Sequence, residues 1–571
     1  MILGRLKAKL ELIFFFKKSL PLCLNLIFVE ILTMKTTLNL LLLFFSCYSF
    51  AQITLEHTYT DGNVNRVKLE YSGEKYYVLN TATNELILYN ADHSLWKTIV
   101  LPASPPNPLA GSARIYHVSE AKINPDVQIE ILFSYYNNVS NKFESRISQE
   151  DGTILLTIPD AFEARINEIQ GLSDKIITVN TTTNPISKVY SLPDFTLENT
   201  YIDGTIKRVK LENSGEKYYL LDKVNQNTKI FNSDHSLWKT IALPKPSDAK
   251  YSEIGIISET QINSDALLEI GYSYYTLEGS IANYVGKLIN ENNLELLSIP
   301  KARILTVDVI EGLENKLMAT LYNATVNTSF STNVYQIPSL TLENAYESQV
   351  TRVKLENSGE KYYTSNELLS NQAKIYNSNH TLWKTIVLPL PTNELYKITT
   401  VNSLSENKID SDALVELSYS YVLAGLLEPI YQSRVINENG EILITVDGID
   451  GLFLNEITNL NTKLIGNTYN PYDGGYTSVV CSIGNLKTNT FNRDLQVIIS
   501  PNPTQSIINI SSTNSPIHEV RIYNMNGALV KREIAKNITK IDVEELPIGI
   551  YVVNLTDFKN QKTSHKITIL R

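Results

Sequence analysis

Three histidines stand in near-identical surroundings: His93 in DHSLWKTI, His235 in DHSLWKTI and His380 in NHTLWKTI. An imidazole beside a carboxylate is the raw material of a general base or of a metal site. A second recurrent set pairs Asp126 with Glu130, Asp265 with Glu269, and Asp412 with Glu416, in the frames NPDVQIE, NSDALLE and DSDALVE. Oxygen-rich turns can hold calcium, but recognisable calcium loops gather three or more oxygens around an obligatory glycine, which these turns lack. The expectation is no metal: each Asp turns the chain, and each Glu is the one outward residue of a buried strand. A catalytic centre in three near-identical copies would be unusual, so the histidines read as turn-and-anchor residues whose ring nitrogens satisfy backbone groups and brace the nearby indole. Trp96, Trp238 and Trp383 alternate with Leu and Lys along a strand and are expected to pack between sheets. No nucleophile elbow, phosphate loop or HExxH helix occurs, so no catalytic residue and no cofactor is assigned.

The elements that position these residues come in three copies. Arg66 opens RVKLEYSGEKYY, and Arg208 and Arg352 each open RVKLENSGEKYY; the tryptophan motif follows in every copy, giving a unit of about 145 residues. Such a unit is far longer than a solenoid repeat and must hold several sheets. In the first unit, RVKLE, KYYVLN, ELILYN and SLWKTIVLP read as a four-strand meander. The middle third repeats it with IYHVSEAKI, IEILFSYY, FESRIS and TILLTIP, and the last third with ARINEIQGL, KIITVNT, SKVYSLP and FTLENTY. The middle strands FSYY, YSYY and YSYV carry aromatic residues on alternating faces, half of which should reach solvent or a groove.

Each third matches the roughly 40–50 residues of a propeller blade. The fold class expected is all-β: a three-fold repeat forming a β-propeller-like array of four-stranded sheets, then a small carboxy-terminal β-sandwich. Three units of three sheets make nine, above the usual ~4–8 blades, so one or more thirds could be fused or irregular. TLEHTY at Thr54 precedes the first unit as TLENTY and TLENAY precede the others, which suits a lone strand that completes the last sheet and closes a ring. The repeat region spans 53–491, as units 53–195, 196–340 and 341–491.

Both ends read as addresses. From Met34, MKTTLNLLLLFFSCYSFAQ supplies a lysine, an apolar run and a small-residue cleavage site, with cleavage expected between Ala51 and Gln52. Residues 34–51 are thus a signal peptide and 1–33 an extension from a misassigned start codon. The apolar run falls short of the ~20 residues that span a bilayer, so the mature chain has no transmembrane segment. It keeps one cysteine, Cys481, and so cannot close an internal disulfide. A net charge of -10 without a basic stripe argues against a nucleic-acid partner.

Residues 494–571 break the three-fold pattern. SPNP at Ser500 to Pro503, VRIYNMNGALV at Val520 to Val530, IDVEELPIGIYVVNL at Ile541 to Leu555 and KITILR at Lys566 to Arg571 follow in that order. Pro501 and Pro503 around Asn502 fix an extended entry, Gly527 sits in a hairpin turn, and Gly549 before Tyr551 stands where a strand must bend. The block resembles the type A sorting domain of type IX secretion cargo. That resemblance implies export by the Bacteroidota translocon as the machinery's partner, usually followed by removal of the domain and either release or attachment to the cell surface. The function expected is an exported, non-enzymatic repeat protein that binds an extracellular glycan or protein. The alternatives are a secreted hydrolase with its active site in non-repeated loops such as Ala103 to Ala113, or a structural part of the cell coat.

Overall fold

The computed structural model describes residues 53–571 apart from 104–112, 181–184, 324–328, 367–370, 392–395, 411, 424–429, 470–475, 484–496, 513–515, 525–527, 558–561 and 571. The signal peptide with Ala51 and Gln52, most of the 103–113 loop, and Gly527 lie outside the described residues. The described elements are all strands.

Nine four-stranded antiparallel meanders run through the repeat region: sheet 1 (64–100), sheet 2 (114–159), sheet 3 (163–201), sheet 4 (207–242), sheet 5 (250–300), sheet 6 (302–346), sheet 7 (349–387), sheet 8 (396–447) and sheet 9 (453–482 with Thr54–Tyr59). None is fused or missing, so the count exceeds the usual range. Hairpin turns need residues that tolerate a left-handed backbone: Gly73, Gly215 and Gly359 in the SGE turns have φ of 73°, 70° and 72°.

The ring closes as the lone strand suggests. Thr54–Tyr59 is the fourth strand of sheet 9, paired antiparallel with Tyr476–Ser482 from Thr54 opposite Ser482 to Tyr59 opposite Ser478. Leu197–Tyr201 and Leu342–Tyr346 hold the same place in sheets 3 and 6. Every consecutive pair of sheets shares an apolar core, and the series is cyclic: Val78 and Tyr76 of sheet 1 meet Ile465 and Val480 of sheet 9.

This packing corrects two expectations. Inner strands of a sheet held between two neighbours are buried on both faces, so period-2 alternation no longer separates core from solvent. Phe133 and Tyr135, Tyr272 and Tyr274, and Tyr419 and Tyr421 are buried on one face and Ser134, Ser273 and Ser420 on the other, while Tyr136 and Tyr275, nearer the strand ends, are half-buried. Glu130, Glu269 and Glu416, expected to point outward, are each 0% exposed. Cys481 is a free thiol buried in sheet 9, and burial pushes it up to about 12.

The carboxy-terminal block is a sandwich of a three-stranded sheet (Val497–Ser500, Ile507–Ser512, Lys540–Asp542) and a four-stranded one (Leu529–Ile534, Ile517–Asn524, Gly549–Asp557, Lys562–Ile569). Its core draws Ile508, Ile510 and Ile541 from the first, and Val520, Ile522, Val553 and Ile567 from the second.

Candidate functional site

The repeated histidines sit where the sequence puts them, in the turn before the tryptophan strand, and each takes a left-handed φ of 64° to 66°. Their ring partners are side chains of the outer strand of the preceding sheet rather than backbone groups. Tyr59 Oη lies 2.7 Å from His93 Nδ1, and Glu56 Oε2 lies 3.5 Å from Nε2. The pattern recurs with Tyr201 (2.7 Å) and Glu198 (3.3 Å) at His235, and with Tyr346 (2.8 Å) and Glu343 (3.4 Å) at His380. A carboxylate can only accept, so Nε2 carries the proton and the tyrosine donates to Nδ1. Each ring also lies against the first tyrosine of the EKYY motif: Tyr76, Tyr218 or Tyr362, at centroid separations of 4.7, 4.7 and 4.9 Å. Burial holds His93 and His380 below the usual imidazole range, which keeps them neutral pins between units.

The tryptophans are half-buried and pack against the core shared by the first and second sheets of their unit. Two ammonium groups flank each ring, Lys75 at 4.7 Å and Lys97 at 4.6 Å for Trp96, with Lys217 and Lys239 at Trp238 and Lys361 and Lys384 at Trp383. The second lysine of each pair then crosses to the next sheet, where Glu150, Glu291 or Glu438 accepts it.

A further set of joints comes from the RVKLE motif, whose repetition is plain in the sequence but whose role is not. The Arg66 side chain is fully buried; it donates to Glu74 at 2.8 Å in its own sheet, and to the carbonyls of Asn455 (3.1 Å) and Asn461 (2.6 Å) in sheet 9. Arg208 grips Asn167 and Ser173 of sheet 3 in the same way, and Arg352 grips Asp308 and Glu314 of sheet 6. Forward, Glu70 accepts the Glu120 amide at 2.7 Å, while the Glu120 carboxylate accepts Tyr71 N and Ser72 N at 2.8 Å each, and Ser72 Oγ. Successive turn amides form a nest that suits an anion, and Glu259 and Glu406 fill it in the other units.

Among the described residues, two features are open to a ligand. A groove of about 500 Å³ lies between sheets 4 and 5, lined by Ile202, Asp203, Lys207, Tyr219, Asp222 and Glu253, with Lys207 Nζ reaching the Ile254 carbonyl at 3.4 Å. Its counterpart between sheets 1 and 2, about 320 Å³, is lined by Asn63, Asn65, Tyr77 and Arg114 among others. Tyr77 and Tyr219 are equivalent positions, paired across their hairpins with Asn65 and Lys207, so the floor is constant while the rim varies.

The second feature is acidic. Burial, reinforced by Asp126, pushes the Glu130 carboxyl up to about 9; burial and Asp265 push Glu269 up to about 8; burial with Asp410 and Asp412 pushes Glu416 up to about 9. In each of the three, both carboxyl oxygens are buried without a hydrogen-bond partner. Asp410 was not among the residues singled out in the sequence, because Asn124 and Asn263 hold its place in the other units.

In the carboxy-terminal sandwich the two ends of the motif series meet. Asn502 donates from its carboxamide to the Lys566 carbonyl at 2.8 Å and accepts the Thr568 amide at 2.9 Å, so the SPNP segment, with Pro501 and Pro503 on either side, clasps the final strand. Tyr551 is buried and donates to the Pro547 carbonyl at 2.7 Å. The bend falls at Ile548, and Gly549 is already the first residue of its strand, opposite Ile569.

Among solved structures, the Dos1 propeller aligns with a TM-score of 0.37 at 10% identity, covering 76% of this chain and 95% of that one. Sqt1 of Saccharomyces cerevisiae aligns at 0.35 and 10% identity over 65% and 95%, and the extracellular domain of BT4673 from B. thetaiotaomicron at 0.23 and 10% over 89% and 80%. No curated protein sequence matches the chain. No helix among the described residues is long and apolar enough to cross a membrane. Residues 499–570 match the family model described as the secretion system C-terminal sorting domain, and the chain therefore carries a type IX sorting tail that implies engagement of that machinery and export to the medium or the outer surface.

Proposed function

We propose that the protein is an exported, non-enzymatic module whose ring presents grooves between the first and second sheets of its units to an extracellular glycan or protein. The observation that carries this reading is the contrast at those grooves: a tyrosine common to both, Tyr77 or Tyr219, under rims that differ at equivalent positions, Asn65 and Arg114 in one against Lys207 and Glu253 in the other. Concave sites of this size with a few placed polar groups suit a bound ligand, and a constant platform with a varied rim suits recognition better than scaffolding. The amino-terminal address and the tail deliver the ring outside the cell, where such ligands are.

The test is a glycan array and a pull-down from envelope material with the exported protein, beside Tyr219→Ala and Lys207→Ala. Binding that the two substitutions weaken supports the reading; a protein that retains no ligand from either source defeats it. Turnover of polysaccharide or peptide libraries, abolished by a change next to Arg114, would instead favour the hydrolase.

A further inference from the structure

We propose that Asp410, Asp412 and Glu416 form a binding site for one calcium ion in the loop entering the second strand of sheet 8. Ligand oxygens of the three side chains lie within 4.8 Å of one another. Calcium–oxygen distances are roughly 2.3–2.6 Å, so oxygens on opposite sides of one ion stand about 4.6–5.2 Å apart, and this set fits around a single ion. An acidic cluster alone says little, since exposed carboxylates gather without a cation. What sets this cluster apart from an exposed one is Glu416, which is 0% exposed, aimed at the two aspartates, and has both oxygens without a hydrogen-bond donor; Glu130 and Glu269 are buried in the same way, but unit 3 alone adds a second aspartate, Asp410.

Burying an unpaired carboxylate is costly, and the neighbours make it worse. Lys408, the cation closest in sequence, is turned away onto Glu456 at 2.7 Å and Glu356 at 3.7 Å. A shared proton between Glu416 and Asp412 would relieve one oxygen and leave Asp410 facing them. A divalent cation meets all three carboxylates at once and accepts Glu416 through both oxygens. The donor set is wholly carboxylate, which selects a hard ion, and calcium tolerates the irregular, partly bidentate cage that magnesium resists. The aspartates are already shaped for it: Asp410 Oδ1 accepts the Asp412 amide at 2.9 Å and Asp412 Oδ1 accepts the Leu414 amide at 2.8 Å, which fixes the loop and leaves each Oδ2 for the ion.

The other two units serve as internal controls. Asn124 and Asn263 replace the first aspartate, and in unit 1 the Gln149 amide donates to Asp126 Oδ2 at 2.7 Å, placing a hydrogen where a cation would stand. One equivalent per chain is therefore expected.

The experiment is calorimetric titration and thermal unfolding of the chelator-treated full chain with calcium chloride. The wild type should bind one equivalent, with affinity at or better than the roughly 10⁻⁴–10⁻³ M of extracellular calcium modules, and its Tm should rise; magnesium should act more weakly. Asp410→Asn, which installs the residue the other units tolerate, and Glu416→Gln should each weaken calcium at least tenfold. No heat and no change in Tm with the wild type, at calcium about ten times above that range, would overturn the site in favour of a shared proton. Binding that both substitutions leave unchanged would overturn it by placing the ion elsewhere.

Discussion

Arg66→Ala should open the seam where the ring closes. The guanidinium is fully buried and joins one carboxylate of sheet 1, Glu74 at 2.8 Å, to two carbonyls of sheet 9, Asn455 at 3.1 Å and Asn461 at 2.6 Å. Hydrogen bonds to charged groups contribute about 1.5–3 kcal/mol each, so these three and a longer fourth, to Asn455 Oδ1 at 3.3 Å, set a ceiling of roughly 6–12 kcal/mol. The ceiling is not reached, because Glu74 keeps Tyr76 Oη at 3.1 Å and is 18% exposed, so water can replace part of what it loses. The two sheet 9 carbonyls have less recourse, and breaking a buried pair by removing one partner costs about 3–5 kcal/mol, which is the loss expected. Urea unfolding of the full chain measures it, with Arg208→Ala and Arg352→Ala as matched cuts at the other unit seams. Arg66→Lys, which keeps the charge but not the fork, should fall between wild type and Ala. A loss below about 1 kcal/mol, under the range for breaking a buried pair, would refute the reasoning.

Trp238→Ala should destabilise the ring by about 2–3 kcal/mol, below the fully buried range because the indole is half-exposed, and urea midpoints will show it. His93→Asn tolerates the left-handed backbone and should flatten the acid limb. Burial lowers the ring's folded value, so the folded state binds fewer protons than the unfolded one below about pH 6.5; wild type therefore loses stability as pH falls from 7 to 5, and its gap to the variant narrows. Glu269→Gln works in the opposite sense: with a folded value of about 8 against an unfolded one near 4.5, wild type holds a proton the unfolded chain has lost and gives up at most about 1.4 kcal/mol per pH unit between pH 5 and 8. The variant should gain on wild type across that window in thermal unfolding, and equal slopes would show that Glu269 ionises normally.

The strands were legible because each is a short β-branched or aromatic run between turn residues, and the copy number made the pattern unmistakable. RVKLE, KYYVLN, ELILYN and SLWKTIVLP correspond to the four strands of sheet 1, and the stray TLEHTY found its place in sheet 9. Side-chain direction was not legible in the same way. A strand between two packed sheets has no solvent face, so the alternation that assigns Glu130 outward in an open sheet fails, and the fully buried carboxyl is the result. Asp410 carries no repeat signal for a different reason: its acid occurs in one copy of three, with Asn124 and Asn263 at the equivalent positions.

The same logic bears on where recognition resides. Arg66, Glu70, the SGE turn, His93, Trp96 and Lys97 have counterparts in all three units, and every one of them is committed to a neighbouring sheet through a buried hydrogen bond, an ion pair or a packed ring. Three-fold identity therefore marks the joints of the ring, since each joint meets the same surroundings and admits few side chains. The groove rims are held less tightly: Asn65, Lys207 and Thr351 occupy one position of the hairpin, each opposite a tyrosine, with a different side chain in every unit, and Lys207 makes a long contact of 3.4 Å to the Ile254 carbonyl. Substitutions exchanged between units at this one position should consequently leave unfolding unchanged while altering what the exported protein retains, and a loss of stability on exchanging Asn65 and Lys207 would mean that the rims, too, are part of the joint.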